Sequence, residues 1–253
     1  MKFSKTVALA LAAGVIASAA YAEEEASKVG AYAGTVLKNG YLSNGYLFAD
    51  ETVLQSYAGV TYAGFDLNVW NSWAPDDNSY ARSPASEIDY ELDYSNSIGD
   101  FEYTLGVAAW CYPHSDDSFD EWVGITKISY NGISDIVTPG LYARFGLESQ
   151  QGCYGQFRLS KGFELADKLA LDLYALVGYA SKSWRAGKGE DDDGFVDFEA
   201  RATLTYTICD NASVNAGCQY SSVIDSTLRD FEDKQADGDM DHFIYFAGLD
   251  VWF

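Results

Sequence analysis

From about residue 28 to the end of the chain, apolar side chains recur at every second position. This spacing belongs to strands with one apolar face, because successive side chains of an extended backbone point in opposite directions. Spacings of three and four, the mark of an amphipathic helix, are hard to find. The pattern divides into about twelve stretches, at roughly 29–42, 52–62, 64–74, 86–96, 100–112, 119–130, 135–147, 152–164, 168–182, 194–208, 212–223 and 241–253. Their connections alternate in length. Ala63-Gly64, Asn96 to Gly99, Asn131-Gly132, Ala166-Asp167 and Asp210-Asn211 are short and built of turn-forming residues. Ala74 to Ala85, Pro113 to Asp120, Arg185 to Gly194 and Ile224 to Met240 are longer and polar, with Ser149 to Gly152 as the short exception. Short turns at one end, long loops at the other and an even strand number predict an all-β fold, a transmembrane up-and-down antiparallel β-barrel of about twelve strands. A β-sandwich has no reason to keep that alternation.

The faces of the strands agree with this reading. In the last stretch Phe243, Tyr245, Ala247, Leu249, Val251 and Phe253 share one side, with His242, Ile244, Phe246, Gly248, Asp250 and Trp252 on the other. The tenth sets Val196, Phe198, Ala200, Ala202, Leu204 and Tyr206 against Asp197, Glu199, Arg201, Thr203 and Thr205. A sandwich core would alternate in the same way, so the placement of the rings decides. The apolar face carries Tyr62, Phe65, Tyr94, Phe101, Tyr130, Tyr206 and Phe253 near the short turns, and Trp73, Trp122, Tyr179, Tyr220 and Phe243 near the long loops. Rings favour the boundary between water and lipid, and two girdles are what a bilayer selects.

Residues 1–22 read as a cleaved signal peptide. Lys2 and Lys5 begin it, an apolar run spans Val7 to Ala20, and Ala20-Tyr21-Ala22 precedes Glu23 as a small-x-small cleavage site. Residues 23–253 then form the barrel domain. The whole chain carries a net charge of −22, and losing the two lysines of the leader makes it more acidic still. Such a chain will not seek nucleic acid or an anionic membrane surface. Disorder is excluded by 48% hydrophobic and 15% aromatic residues. Mean hydropathy is −0.15, which an alternating barrel and a soluble protein share. No later stretch approaches the about 18 apolar residues of a membrane helix. The expected location is the bacterial outer membrane, with its lipid and lipopolysaccharide as surroundings.

The chain ends in Phe253, behind apolar and aromatic residues at alternating positions. That end resembles the C-terminal strand read by the outer-membrane assembly machinery. Gly40-Tyr41-Leu42-Ser43-Asn44-Gly45-Tyr46 leading into Ala58 to Trp73 is similar to the TorF-like family of small porins. So is the stretch Glu87-Ile88-Asp89-Tyr90 through Ser97-Ile98-Gly99-Asp100 to Ala109-Trp110-Cys111-Tyr112-Pro113. The matching stretches cover under half of the chain beyond the leader. The strongly acidic last loop and the four cysteines stand outside the resemblance. It implies a barrel with a pore, and no substrate or catalytic residue.

If apolar residues face lipid, the lumen receives the acids Asp66, Asp89, Glu91, Asp93, Glu102, Asp172, Asp197, Glu199 and Asp250, and the bases Lys127, Arg144, Arg158 and Arg201. Barrels of about 8 strands are filled by their side chains and those of 16–18 hold open channels, so twelve permits a narrow pore. Passive diffusion of small polar or charged solutes, with a mild preference for cations, follows from the excess of carboxylates. A non-conducting structural or adhesive barrel working through its loops is the alternative, and an outer-membrane hydrolase a lesser one. The chain has only two histidines, and Ser115, His114 and Asp116 are neighbours in sequence, which is the wrong arrangement for a triad. No enzyme activity, cofactor or metal site is expected. The acidic runs Glu190 to Asp193 and Asp230 to Asp241 lack the ligand spacing of a calcium loop and read as solvated loops. Cys111, Cys153, Cys209 and Cys218 do not fall opposite one another in this strand pattern, which favours free thiols, three of them facing outward.

Overall fold

A computed structural model describes residues 29–44, 46–74, 87–112, 121–147, 152–186, 192–225 and 241–253. The leader, His114 with its flanking Ser115 and Asp116, and most of the two acidic runs lie outside these residues. Twelve strands close into one antiparallel barrel. They are β1 (Gly30–Lys38), β4 (Val53–Tyr62), β5 (Phe65–Trp73), β6 (Glu87–Ile98), β7 (Phe101–Cys111), β8 (Glu121–Tyr130), β9 (Thr138–Gly146), β10 (Gly152–Ala166), β11 (Leu169–Ala180), β12 (Gly194–Cys209), β13 (Ala212–Val223) and β14 (Asp241–Trp252). Each pairs with its neighbours in sequence, and β1 joins the last strand to the first hairpin, pairing Thr35 with Leu249 and with Ser56. Closure leaves no free strand edge, so every ladder group is satisfied within the protein.

Among the described residues, the elements outside the ladder are β2 (Tyr41–Ser43), β3 (Tyr46–Ala49) and the short helix α1 (Lys182–Ala186). Sequence periodicity carries the first strand on to about residue 42. In the structure it stops at Lys38, and the chain turns back as a separate hairpin pairing Leu42 with Leu47.

The tight turns form where expected, with one lengthened. Ala63 and Gly64 both take positive φ, 51° and 85°, as a two-residue hairpin turn of matching twist requires. Between β8 and β9 residues 131–137 form a longer turn, closed by Ser134 N–H donating to Asn131 O and Val137 N–H to Ile133 O. Strand β9 therefore begins at Thr138, three residues later than the alternation predicts for the stretch 135–147.

The outer face is apolar. Leu67, Leu92, Leu141, Leu173, Leu204 and Leu249 are among its exposed residues, between rings at Tyr62, Phe101, Tyr206 and Phe253 on one rim and Trp73, Trp122, Tyr179 and Phe243 on the other. Tyr94 departs from the girdle: it is only 1% exposed, its ring packed against Phe65 at 4.9 Å under the turn at Gly64. Val196 departs as well. The sequence puts it on the outer face, yet it is 1% exposed and belongs to an interior cluster with Tyr154, Ala180, Trp184 and Val223. A register shift beside Gly178 and Tyr179 pairs Tyr179 with Phe195 and Gly178 with Asp197. The extra residue is Val196, and a bulge of this kind re-aims one side chain. None of the four cysteines is in a disulfide.

Candidate functional site: the barrel lumen

Alternation along paired strands turns one set of side chains inward, and the hydrogen bonds show which set. On β6 the acids Glu87, Asp89, Glu91 and Asp93 stand at every second position, forming a file along one wall. Lys127 of β8 bridges the last two, with Nζ 2.9 Å from Glu91 Oε1 and 2.8 Å from Asp93 Oδ2. Tyr32 Oη donates to Asp66 at 3.0 Å. Asp250 accepts from Tyr57 Oη and from Asn215 Nδ2, the latter at 2.8 Å. Glu87 accepts from Tyr41 at 2.7 Å and from Tyr112 at 3.0 Å. Small residues make room for these groups. A Cβ on Gly34 would meet the Tyr57 ring at 2.4 Å, and one on Gly106 would lie 1.7 Å from Asp93 Oδ1.

The basic groups are held differently. The Arg144 guanidinium carbon lies 4.7 Å from the Trp110 ring centre and 4.9 Å from that of Tyr154. Arg158 covers Tyr142 at 4.2 Å, and Arg201 covers Tyr174 at 4.8 Å. Among the described residues the ion pairs within 4.0 Å are those of Lys127, so no described carboxylate pairs with these three arginines. Cation–π contact holds a guanidinium by its face and leaves its in-plane N–H donors available. Arg158 uses its Nε on Gln156 Oε1 at 2.6 Å, and Gln156 in turn donates to Tyr154 Oη at 3.1 Å. Tyr154 donates on to Asp197 at 2.8 Å.

The thirteen lumen candidates are not equivalent. Asp197 is 2% exposed and bonded to Tyr154, so it belongs to the packed wall rather than to open space. Glu102 and Asp172 border open volume close to the short turns. Glu199 and Arg201 of β12 lie six places from the acid file of β6 in a ring of twelve, on opposite walls. Sequence reasoning missed Glu87 and Lys38, which share the inward parity of their strands and were there to be found. It also did not single out the inward rings Tyr32, Tyr57, Trp70, Trp110, Tyr142, Tyr154 and Tyr174, because it weighed only the rings near the ends of the apolar face. His242 sits on the inward side of β14.

The two halves of the lumen differ. Toward the long loops the β2–β3 hairpin crosses the interior. Tyr41 packs on Trp70 at 5.6 Å and on Phe48 at 5.1 Å, and Phe48 packs against the cluster of Tyr154, Ala180, Trp184, Val196 and Val223. Trp184 comes from α1, which rests on Gly152. A Cβ there would lie 2.5 Å from Trp184 N, and its φ of 143° also calls for glycine. Toward the short turns the lumen is open. Two cavities of about 270 and 230 Å³ share Thr138, Ser160 and Tyr174 in their walls.

Fold and interior together define a closed twelve-stranded antiparallel barrel that is apolar and ring-bordered outside, charged and partly open inside. Comparison with solved structures agrees. The KdgM porin superposes with a TM-score of 0.52 over 88% of this chain and 98% of its own, at 11% identity. The NanC porin gives 0.51 over 88% and 99%, at 9% identity. At such identities the likeness extends to the fold. No family model and no curated protein sequence matches the chain.

Proposed function

We propose that this protein is an outer-membrane channel for passive diffusion of small polar or charged solutes, exported by a cleaved leader at residues 1–22. The observation that carries the reading is the division of the barrel: an apolar, ring-bordered exterior around an interior that holds ionisable groups and open volume. Ionised side chains in a filled core would cost several kcal/mol each, on the order of what a small domain has in total, whereas water in a lumen solvates them. The resemblance to the TorF-like porins points the same way. Phe253 lies at the rim, joined to β1 by paired backbone bonds with Ala31, where an assembly factor can read it.

The wall carries more carboxylates than bases, so small cations should be favoured over anions of equal size. The hairpin crossing the outer half is the constriction through which solutes pass. It also supports a second reading, a non-conducting barrel whose loops do the work, in which Phe48, Tyr41 and Trp184 plug the lumen.

The test is single-channel current from the refolded protein in a planar bilayer under a salt gradient. Stepwise currents with a cation-biased reversal potential are expected. An anion bias would keep the channel and shift control to the arginines. No current from folded protein would leave the plugged barrel.

A further inference from the structure

We infer that the outer face of β1, β4 and β5 is the contact surface for a second copy of this chain, so that the barrel pairs within the membrane. The inference needs the barrel to lie in a bilayer and does not depend on whether the lumen conducts.

A wall that faces lipid has no use for hydrogen-bonding side chains, because hydrocarbon offers them no partner. Here three stand in one row. Register places Thr35 opposite Ser56, and Ser56 opposite Asn71. The adjacent row, Gly34, Tyr57 and Trp70, faces the lumen, so this one faces out. Thr35 Oγ1 lies 3.1 Å from Ser56 Oγ and donates to Gln55 O at 3.3 Å, which satisfies the hydroxyls within the wall. Asn71 is not satisfied: among the described residues its amide makes no side-chain hydrogen bond. On the described strands the other outward amide, Asn96, lies beyond the ring of Tyr94 and donates to its Oη at 3.0 Å.

The side chains around the row are small. β1 turns Ala31 and Ala33 outward and carries no outward ring, and β4 adds Ala58. Exposed Leu37, Leu54 and Trp73 border this centre toward the long loops, and Val60 and Leu67 toward the short turns. The centre is therefore a shallow depression between taller side chains. Small residues that let two backbones approach, with a polar group to bond across, drive association between membrane-spanning segments. Amides and hydroxyls both donate and accept, so the row complements itself when two copies face across a two-fold axis. A face four strands wide, from β14 to β5, measures about 19 Å by about 30 Å. Two copies would cover about 1,000 Å² in total, the size at which specific contacts begin. A second group of small outward residues, Ala200, Ala202, Ala216 and Cys218 on β12 and β13, holds no amide or hydroxyl and suits lipid as it stands.

The experiment is sedimentation equilibrium of the refolded full barrel in density-matched detergent micelles, with a heat-shift gel to confirm folding. A reversible dimer is expected. Asn71→Leu should weaken it about tenfold, since one substitution removes a bonding group from each copy. Ala58→Trp fills the depression and should leave monomer at concentrations where the native chain is paired. Ala202→Trp, in the second group of small residues, should leave the dimer unchanged. Monomer at every concentration would overturn the proposal, as would a dimer that survives either Asn71→Leu or Ala58→Trp. A trimer would overturn it too, because a two-fold contact cannot build one, and so would an equal loss in Ala202→Trp. These substitutions lie on the outer face, so the current measurement tests the channel reading separately.

Discussion

Lys127 bridges two acids of the β6 file, and removing it tests whether that file is held by charge. In Lys127→Met the packing volume is nearly kept while two contacts of 2.9 and 2.8 Å disappear. Asp93 suffers most. Its side chain is 8% exposed, its Oδ2 loses the ammonium, and its Oδ1 already sits over Gly106 with no hydrogen-bond partner. Glu91 at 22% exposed can turn further toward water, so it loses less. Stripping one partner from a fully buried pair costs about 3–5 kcal/mol. Lys127 itself is 38% exposed to the lumen, and solvent there screens the pair. We therefore expect a loss of about 2–3 kcal/mol. The assay is urea unfolding of the barrel in lipid vesicles, followed by tryptophan fluorescence. Adding Asp93→Asn to Lys127→Met removes the stranded charge and should recover about half of the loss, a coupling on the order of 1 kcal/mol. A cost below about 0.5 kcal/mol, or no recovery in the double variant, would refute the charge-locking account. The current measurement gives an independent check, since losing this positive charge should increase cation preference.

Two further outcomes follow from the same interior. In Gly178→Ala the new methyl would lie 1.9 Å from Asp197 Oδ1 and 2.6 Å from Tyr154 Oη, so the pair must part. A destabilisation of about 1–3 kcal/mol is expected by urea unfolding, and none would mean the bulge at Val196 relaxes freely. Replacing residues 41–49 by a short Gly-Ser link removes the ring contacts that cross the lumen, and the single-channel conductance should rise several-fold. An unchanged conductance would place the constriction elsewhere.

The twelve strands were legible because a membrane barrel imposes two strict periods on its sequence. Side chains alternate between lipid and lumen, and connections alternate between tight turns and loops. The run from Glu87 to Asp93 shows how far this goes, since parity alone places all four carboxylates on one wall. Parity fails where geometry adds a residue. Val196 lies inside because of a bulge, which periodicity along a single strand cannot register. For rings, residue type is no guide. Tyr32, Tyr174 and Tyr206 carry the same side chain, yet the first two line the lumen and the third faces outward, a matter of strand phase rather than residue type.

What the sequence by itself determined was the class of fold and the excess of acid over base. Only the tertiary structure decided which charges cancel. Lys127 meets Glu91 and Asp93 across intervening strand β7, while Arg144, Arg158 and Arg201 rest on rings brought up from other strands. The same holds for the β2–β3 hairpin, whose inward course depends on Trp70, Glu87 and the cluster at Tyr154. The physical reason is the same in each case. Facing follows from the local geometry of the backbone, whereas pairing depends on barrel closure and shear, which bring together side chains far apart in the chain.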